Sequence, residues 1–223
     1  FVLISLLSGW PHVDAVWRTS DHGRIELGSS SDPALRPHIG QVLLSVSGAD
    51  GTAVALPDAL ALQRSSRWLV DDAERERHRL LHENLARVLA QPKVQLHFGD
   101  GAVVEVQPQL RGAASLGAVF WLLAALALVL YLVVMAVVLS RPTVANVVYA
   151  LMSMCQVGHL LFLAAESATG LGLPPWLSRW DLQARTAFDL ITSAAIVHAT
   201  NVHPRRLDGL GWIVPPVWVL SLG

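Results

Sequence analysis

The sequence predicts an α+β domain followed by an all-α bundle of transmembrane helices. The chain has 223 residues, of which 53% are hydrophobic and only 15% are charged, whereas about a quarter of the residues of a soluble domain are charged. Residues 116–139 contain no charged residue. A helix of that length measures about 36 Å, which is enough to cross a hydrocarbon core of about 30 Å. Most charged residues precede this stretch, so the soluble domain is expected before it and further membrane helices after it.

Residues 11–113 have the sequence patterns of a small α+β domain. Two apolar runs at residues 39–48 and 52–56, separated by a Gly/Asp turn, predict a pair of strands. Apolar residues recur at helical spacing between residues 57 and 91, which predicts an amphipathic helix. Residues 93–107 return to strand-like alternation around a Gly-Asp-Gly turn that is typical of a hairpin. The predicted order is therefore β–β–α–β–β.

The remaining apolar segments predict a multi-pass membrane protein. We interpret the chain as a fragment of a longer protein. A loop is predicted at residues 171–185, between the membrane segments 144–166 and 187–202. The predicted membrane segments are residues 1–10 (the end of a first helix), 114–140, 144–166, 187–202 and 210–223 (the start of a truncated helix).

Basic residues in short loops predict the orientation of these helices in the membrane. Arg141 follows the central span, and Arg205 and Arg206 follow the third segment. Placing these arginines in the cytoplasm places residues 11–113 outside it.

Several functional classes lack support in the sequence. The formal net charge of −1 gives no reason to expect a nucleic-acid partner. Cys155 is the only cysteine, so the chain has no internal disulfide and no thiolate metal site. His78 and His82 are spaced to face one metal, but no third ligand accompanies them. We interpret the pair as two polar positions on a solvated helix face, and predict neither a metal site nor a catalytic residue.

Polar residues within the apolar segments are the candidate functional residues, because each is costly in lipid unless it is paired or faces the bundle interior. Gln156, His159 and Glu166 are spaced to share one helix face, and Arg185 and Asp189 lie at the outer end of the next segment. Antiparallel packing would bring the two groups together. One hypothesis is a polar pocket that senses a ligand, a proton or a quinone-like molecule. The alternative is interhelical hydrogen bonding with an ion pair at the interface.

Two stretches resemble a known domain. GQVLLSVSGADGTAVAL, at residues 40–56, resembles the PDZ stretch in which an apolar strand leads into a glycine turn. VQLHFGDGAVVEVQP, at residues 94–108, resembles the closing PDZ hairpin. The fold class expected from this resemblance is an α+β extracytoplasmic PDZ-like domain followed by an all-α multi-pass transmembrane bundle.

Such a domain, followed by membrane helices and a P-R-R-L element at residues 204–207, resembles the membrane-sensor half of bacterial sensor histidine kinases. The resemblance implies an inner-membrane input region that passes an extracytoplasmic or intramembrane signal to an ATP-dependent kinase core beyond residue 223. ATP and Mg²⁺ would bind only to that core, and no cofactor is expected in this chain. The implied partners are the lipid bilayer, a second copy in a homodimer, a response regulator and a peptide ligand.

Three alternatives remain open. The chain is also compatible with the input module of another membrane signalling enzyme, such as a phosphatase or a cyclase. It is compatible with a membrane-anchored PDZ-type protein that recruits peptides or proteases by strand addition. A transporter or channel fragment is less favoured, because the sequence has a soluble domain and lacks paired broken helices.

Overall fold

A computed structural model describes residues 2–202 and 211–222, so the P-R-R-L element lies outside the described residues. The chain divides into two compact units. The first unit comprises Phe1–Gly117 and Ala165–Asp181, and the second comprises Ala118–Ala164 and Leu182–Gly223. The first is a mixed α/β unit and the second is helical, which confirms the two-part division that the sequence predicts.

The first unit is built on a four-stranded antiparallel sheet in which the strands lie in the order Ala53–Ala55, Leu43–Gly48, Val94–Phe98 and Val103–Val106. A separate hairpin pairs Ala15–Thr19 with Ile25–Ser30, and a further pair of short strands has the register Pro11↔Leu110. Its elements before the membrane-length helices are α1 (Val2–Ser8), β1 (Pro11–His12), β2 (Ala15–Thr19), β3 (Ile25–Ser30), β4 (Leu43–Gly48), β5 (Ala53–Ala55), α2 (Asp72–Leu89), β6 (Val94–Phe98), β7 (Val103–Val106) and β8 (Gln109–Leu110).

The core of the first unit follows from strand and helix periodicity. In β6, Val94, Leu96 and Phe98 are buried while Gln95 is exposed, as alternation along a strand requires. These side chains belong to one hydrophobic cluster with residues of β4 and with Leu85 of α2. The predicted β–β–α–β–β order of the segment 43–106 is confirmed.

The predicted helix is shorter than the periodic pattern indicates. Helix α2 begins at Asp72, and Asp71 caps it by accepting a hydrogen bond from the Ala73 N–H at 2.9 Å. Two short 3₁₀ turns, Ala59–Leu62 and Ser66–Trp68, occupy the preceding region. The side chains of Asp58 and Ser65 cap these turns, so the first part of the region 57–91 is not helical and the predicted amphipathic helix occupies only Asp72–Leu89.

The second unit contains most of the long apolar helices. The helices of this part of the chain are α3 (Gly117–Ser140), α4 (Val144–Ser167), α5 (Pro175–Val202) and α6 (Val214–Leu222). Two helical stretches in the described part of the chain, Ala113–Ser140 and Val144–Ser167, are long and apolar enough to cross a membrane. They are weak evidence for membrane association, because only length and composition identify them.

Helix α5 differs from the sequence prediction at its start. Residues 175–185 were predicted to be a loop, but α5 begins at Pro175. Proline suits the first position of a helix, because its missing N–H would have no partner there. The predicted span at residues 187–202 lies inside α5 and stays a prediction, as does the predicted membrane segment that includes α6.

Candidate functional site

The second unit brings together two of the predicted site residues. The His159 Nε2 atom of α4 lies 3.2 Å from the Asp189 Oδ1 atom of α5. The side chain of His159 is 13% exposed and that of Asp189 is 46% exposed, so the pair lies at the edge of the helical packing. The His159 ring also meets the Phe188 ring edge-on, with 5.5 Å between centroids. Both residue types can carry or relay a proton.

Arg185 lies near this pair in the sequence but has a different environment. It is buried, and its guanidinium carbon is 5.4 Å from the centroid of the Phe162 ring. A cation over an aromatic face is attracted by the quadrupole of the ring, and the attraction is stronger where water is excluded. The arginine therefore has an aromatic contact on α4.

The other two predicted residues are placed differently. Gln156 lies on α4 and is exposed. Glu166 is buried and belongs to the first unit, where its carbonyl oxygen accepts a hydrogen bond from Thr169 Oγ1 at 2.8 Å. Among the five predicted residues, the described contacts thus join His159 to Asp189, and Arg185 packs on Phe162.

A second site lies in the first unit, where residues 168–174 pack against the domain; we call these residues the docking segment. The segment connects α4 to α5, and Leu171 is part of the same hydrophobic core cluster as the sheet and α2. Gly172 has a positive φ of 81°. A Cβ at this position would lie 3.1 Å from Leu89 Cδ1, so both the conformation and the close approach favour glycine.

Helix α2 presents two buried histidines to this part of the unit. His78 is 1% exposed and His82 is fully buried, and their ring centroids are 4.2 Å apart. The interpretation of the pair as polar positions on a solvated face was wrong. Positions 78 and 82 lie on the same face of α2 as the buried residues Leu85 and Leu89, so both histidine rings face inwards.

The hydrogen bonds of the two rings determine their protonation. His78 Nε2 lies 2.8 Å from the Gln63 carbonyl oxygen, which can only accept, so Nε2 carries the proton. His82 Nδ1 accepts a hydrogen bond from the Leu173 N–H at 3.1 Å, so this nitrogen is unprotonated. Protonation of His82 at Nδ1 would remove the acceptor that holds the docking segment.

The environment of the histidines favours their neutral forms. Burial lowers the pKa of His82 to about 3, with a further contribution from His78. Burial also lowers the pKa of His78, which the Gln63 carbonyl and the negative charge of Asp181 partly oppose. Asp181 is buried and accepts a hydrogen bond from the Ser65 hydroxyl. In the described residues, no group of three or more His, Cys, Asp or Glu side chains is arranged to hold a metal ion.

Sequence reasoning missed the docking segment and the role of the histidines. The signal for the histidines was present, because positions 78, 82, 85 and 89 follow the spacing of one helix face. For the segment no local signal exists, since residues 168–174 have the Gly and Pro content of an ordinary surface loop.

Comparisons with known proteins add no identification. No family model matches the chain, and no curated protein or solved structure matches it.

Truncating Leu171 tests the docking segment. We expect Leu171→Ala to destabilise its packing by about 2–5 kcal/mol, because the change leaves a cavity in the core. Hydrogen exchange of residues 168–174, measured on the purified chain in detergent, should report the loss as faster exchange. Leu80→Ala is the control, since Leu80 is 45% exposed on α2. Equal protection in wild type and Leu171→Ala would contradict the described packing.

Acidification should weaken the same packing. An unfolded histidine has a pKa near 6.5, whereas that of folded His82 is about 3. The unfolded state therefore binds more protons between these values, and the stabilisation present above pH 6.5 is lost progressively as the pH falls towards 3. From pH 7 to about pH 5 we expect His82 to contribute a loss of about 2 kcal/mol.

Hydrogen exchange of the Leu173 amide, corrected for the intrinsic rate at each pH, measures this effect. The glutamine in His82→Gln keeps an acceptor but does not titrate. In this variant the protection of the Leu173 amide from exchange should therefore depend less on pH. His22→Ala is the control, because His22 is exposed, and it should behave like wild type. A pH dependence that His82→Gln leaves unchanged would rule out His82 as the titrating group.

Proposed function

We propose that this chain is the input region of a bacterial inner-membrane signalling protein, with a sensor histidine kinase as the favoured output. The observation that carries the proposal is the docking segment. It directly follows one membrane-length helix and is followed by α5, yet Leu171 is buried in the core of the α/β domain. A change of state in the domain would therefore act on the connection between two helices.

The proposed mechanism is a two-state equilibrium of the docking segment. A signal that binds more tightly to one state shifts the equilibrium by its difference in affinity, and a signal that binds both states equally shifts nothing. The docked state is defined by the burial of Leu171 and by the hydrogen bond from Leu173 to His82. Release would expose Leu171 and would free the start of α5 to move.

The His159–Asp189 pair supplies a second element for transmission. It joins α4 to α5 at 3.2 Å, and Arg185 contacts Phe162 on the same two helices. We propose that these contacts form a polar site that couples the packing of α4 against α5 to the state of the docking segment. The structural alternative is that the pair only holds the helices together.

The output proposal rests on the resemblance to sensor histidine kinases. Under this proposal the chain acts as a homodimer in the lipid bilayer, and a kinase core beyond residue 223 binds ATP and Mg²⁺ and phosphorylates a response regulator. The input module of a membrane phosphatase or cyclase would use the same mechanism. The proposed PDZ-like character of the domain concerns its fold and does not require a peptide ligand.

One observation favours a second function, the recruitment of a peptide. Strand β5 lies at the edge of the four-stranded sheet and packs near α2, and Ala53 and Ala55 are exposed. A peptide could add a strand at such an edge. However, α2 already contacts the chain's own docking segment through His82 and Leu89, which is why we favour an intramolecular ligand.

Cysteine accessibility tests the proposed topology. In a Cys155→Ala background, which removes the only cysteine, Asp21→Cys should react with an impermeant maleimide in intact spheroplasts. Thr143→Cys, between the two membrane-length helices, should react only after lysis, because we place it in the cytoplasm. Both positions are exposed in the structure. Labelling of both from the same side would contradict the proposed crossing of α3.

The kinase proposal can be tested on the coding sequence and on the full-length protein. We expect the reading frame beyond residue 223 to encode a phosphoacceptor histidine helix and an ATP-binding domain, and the purified protein to label itself with the γ-phosphate of ATP. A stop codon soon after the next span would refute the kinase.

Signalling variants of the full-length protein then test the polar site. Asp189→Ala should change the rate of self-phosphorylation severalfold if the His159–Asp189 pair takes part in transmission. Glu74→Ala, an exposed carboxylate on α2, is the control. Normal expression with an unchanged rate in Asp189→Ala would leave the pair with a structural role only.

A further inference from the structure

A cavity of about 290 Å³ lies within the first unit, beside the β1–β8 pair. Apolar side chains, including Leu62 and Trp17, form part of its wall, and Arg64 and Arg111 form another part. Sites for small molecules measure about 300–1,000 Å³ and combine an apolar lining with a few polar groups that orient the ligand. The cavity volume is just below this range and fits a small organic molecule.

The two arginines differ from others in the same unit. Arg18 forms an ion pair with Glu26, and Arg79 forms one with Glu83. In contrast, within the described residues, the guanidinium groups of Arg64 and Arg111 make no hydrogen bond or ion pair. Burial lowers the pKa of Arg111, and the positive charge of Arg64 lowers it further. Arg111 is partly buried whereas Arg64 is exposed, and two like charges on one wall are unfavourable unless an anion joins them.

The other titratable groups of the wall do not balance this charge. Asp14 is exposed, and one of its carboxylate oxygens accepts a hydrogen bond from the Ser31 hydroxyl. His12 Nδ1 lies 2.9 Å from the Gln109 carbonyl oxygen, so Nδ1 donates. Desolvation lowers the pKa of His12, with the charge of Arg111 as a smaller cause, so the ring is neutral at pH 7. The wall therefore carries two positive charges and one negative charge.

We propose that this cavity binds a small organic anion, whose carboxylate or phosphate group lies between the guanidinium groups of Arg64 and Arg111. A guanidinium group offers parallel N–H donors that match the two oxygens of such a group. The apolar part of the ligand would contact Leu62 and Trp17. Arg111 is partly buried, and a charged hydrogen bond to a ligand is stronger where water is partly excluded.

The position of the cavity gives the proposed ligand a role, and this role rests on the input function proposed above. Thr169 and Gly170 of the docking segment belong to the wall, and a Cβ on Gly170 would lie 3.4 Å from Arg111 Nη2. Arg111 and Ser115, also in the wall, directly precede α3. An anion held by Arg111 would therefore stabilise the docked state and connect the segments that lead to α3 and from α4.

Calorimetric titration of the purified chain in detergent tests the site. The probes are butanoate, succinate and glycerol phosphate, with butanamide as an uncharged analogue. We expect at least one anion to bind with a Kd below about 1 mM, and butanamide not to bind. Arg64→Gln and Arg111→Gln should each weaken binding by about tenfold or more, because each removes a charged donor. Arg24→Gln, an exposed arginine outside the wall, should bind as wild type does.

Repeating the titration in nanodiscs distinguishes a free anion from a lipid headgroup. If phosphatidylglycerol weakens binding of the soluble anion relative to phosphatidylcholine alone, the headgroup phosphate competes for the same arginines. If the two nanodiscs behave alike, the ligand is a soluble anion. Both results support the site.

Two results would overturn the proposal. One is that wild-type protein with a native circular dichroism spectrum binds none of the anions. The other is that Arg64→Gln and Arg111→Gln bind them as wild type does. Neither result bears on the topology or on self-phosphorylation, so failure of the anion site and failure of the input function remain distinguishable.

Discussion

The burial of residues 168–174 in the α/β domain is the constraint on which the rest of the structure depends. A connection between two helices normally runs over the surface, where water satisfies its backbone groups. Here Leu171 is in the domain core, and the Leu173 N–H needs a protein acceptor, which His82 provides. Burying a leucine side chain contributes about 2 kcal/mol. This contribution fixes the end of α4 and the start of α5 within the same unit as the sheet.

The histidine pair is a costly solution to this requirement. A leucine at position 82 would fill an apolar site without desolvating a ring, but it would leave the Leu173 N–H without an acceptor. A buried unsatisfied donor costs about 1–3 kcal/mol. The neutral imidazole satisfies the Leu173 N–H, although its own buried Nε2–H has no hydrogen-bond partner among the described residues. It also adds a dependence on pH, because only the unprotonated Nδ1 can accept. The polar contact therefore specifies one position of the segment and also makes that position sensitive to protons.

Sequence periodicity predicted the elements whose burial is decided locally. The alternation in β6 and the helical spacing in α2 correctly predicted the sheet and the helix that packs on it. The start of α2 was missed because the caps at Asp58 and Ser65 stabilise two short turns. The His159–Asp189 pair was foreseeable because polar groups in apolar helices need partners. The burial of Leu171 was not, since contacts far away in the sequence decide it.

The two unusual chemical features of the first unit lie along the same short segment. Gly170 approaches Arg111, and Leu173 is held by His82. If an anion at Arg111 favours the docked segment, thermodynamic linkage requires that docking tightens anion binding by the same factor. A proton at His82 acts in the opposite direction, because it removes an acceptor that only the docked segment uses. Under these proposals the segment combines the anion and the proton as two inputs to one equilibrium, and each input modifies the apparent affinity for the other. Such coupling needs no direct contact between the cavity and the histidines, since both act on the same backbone.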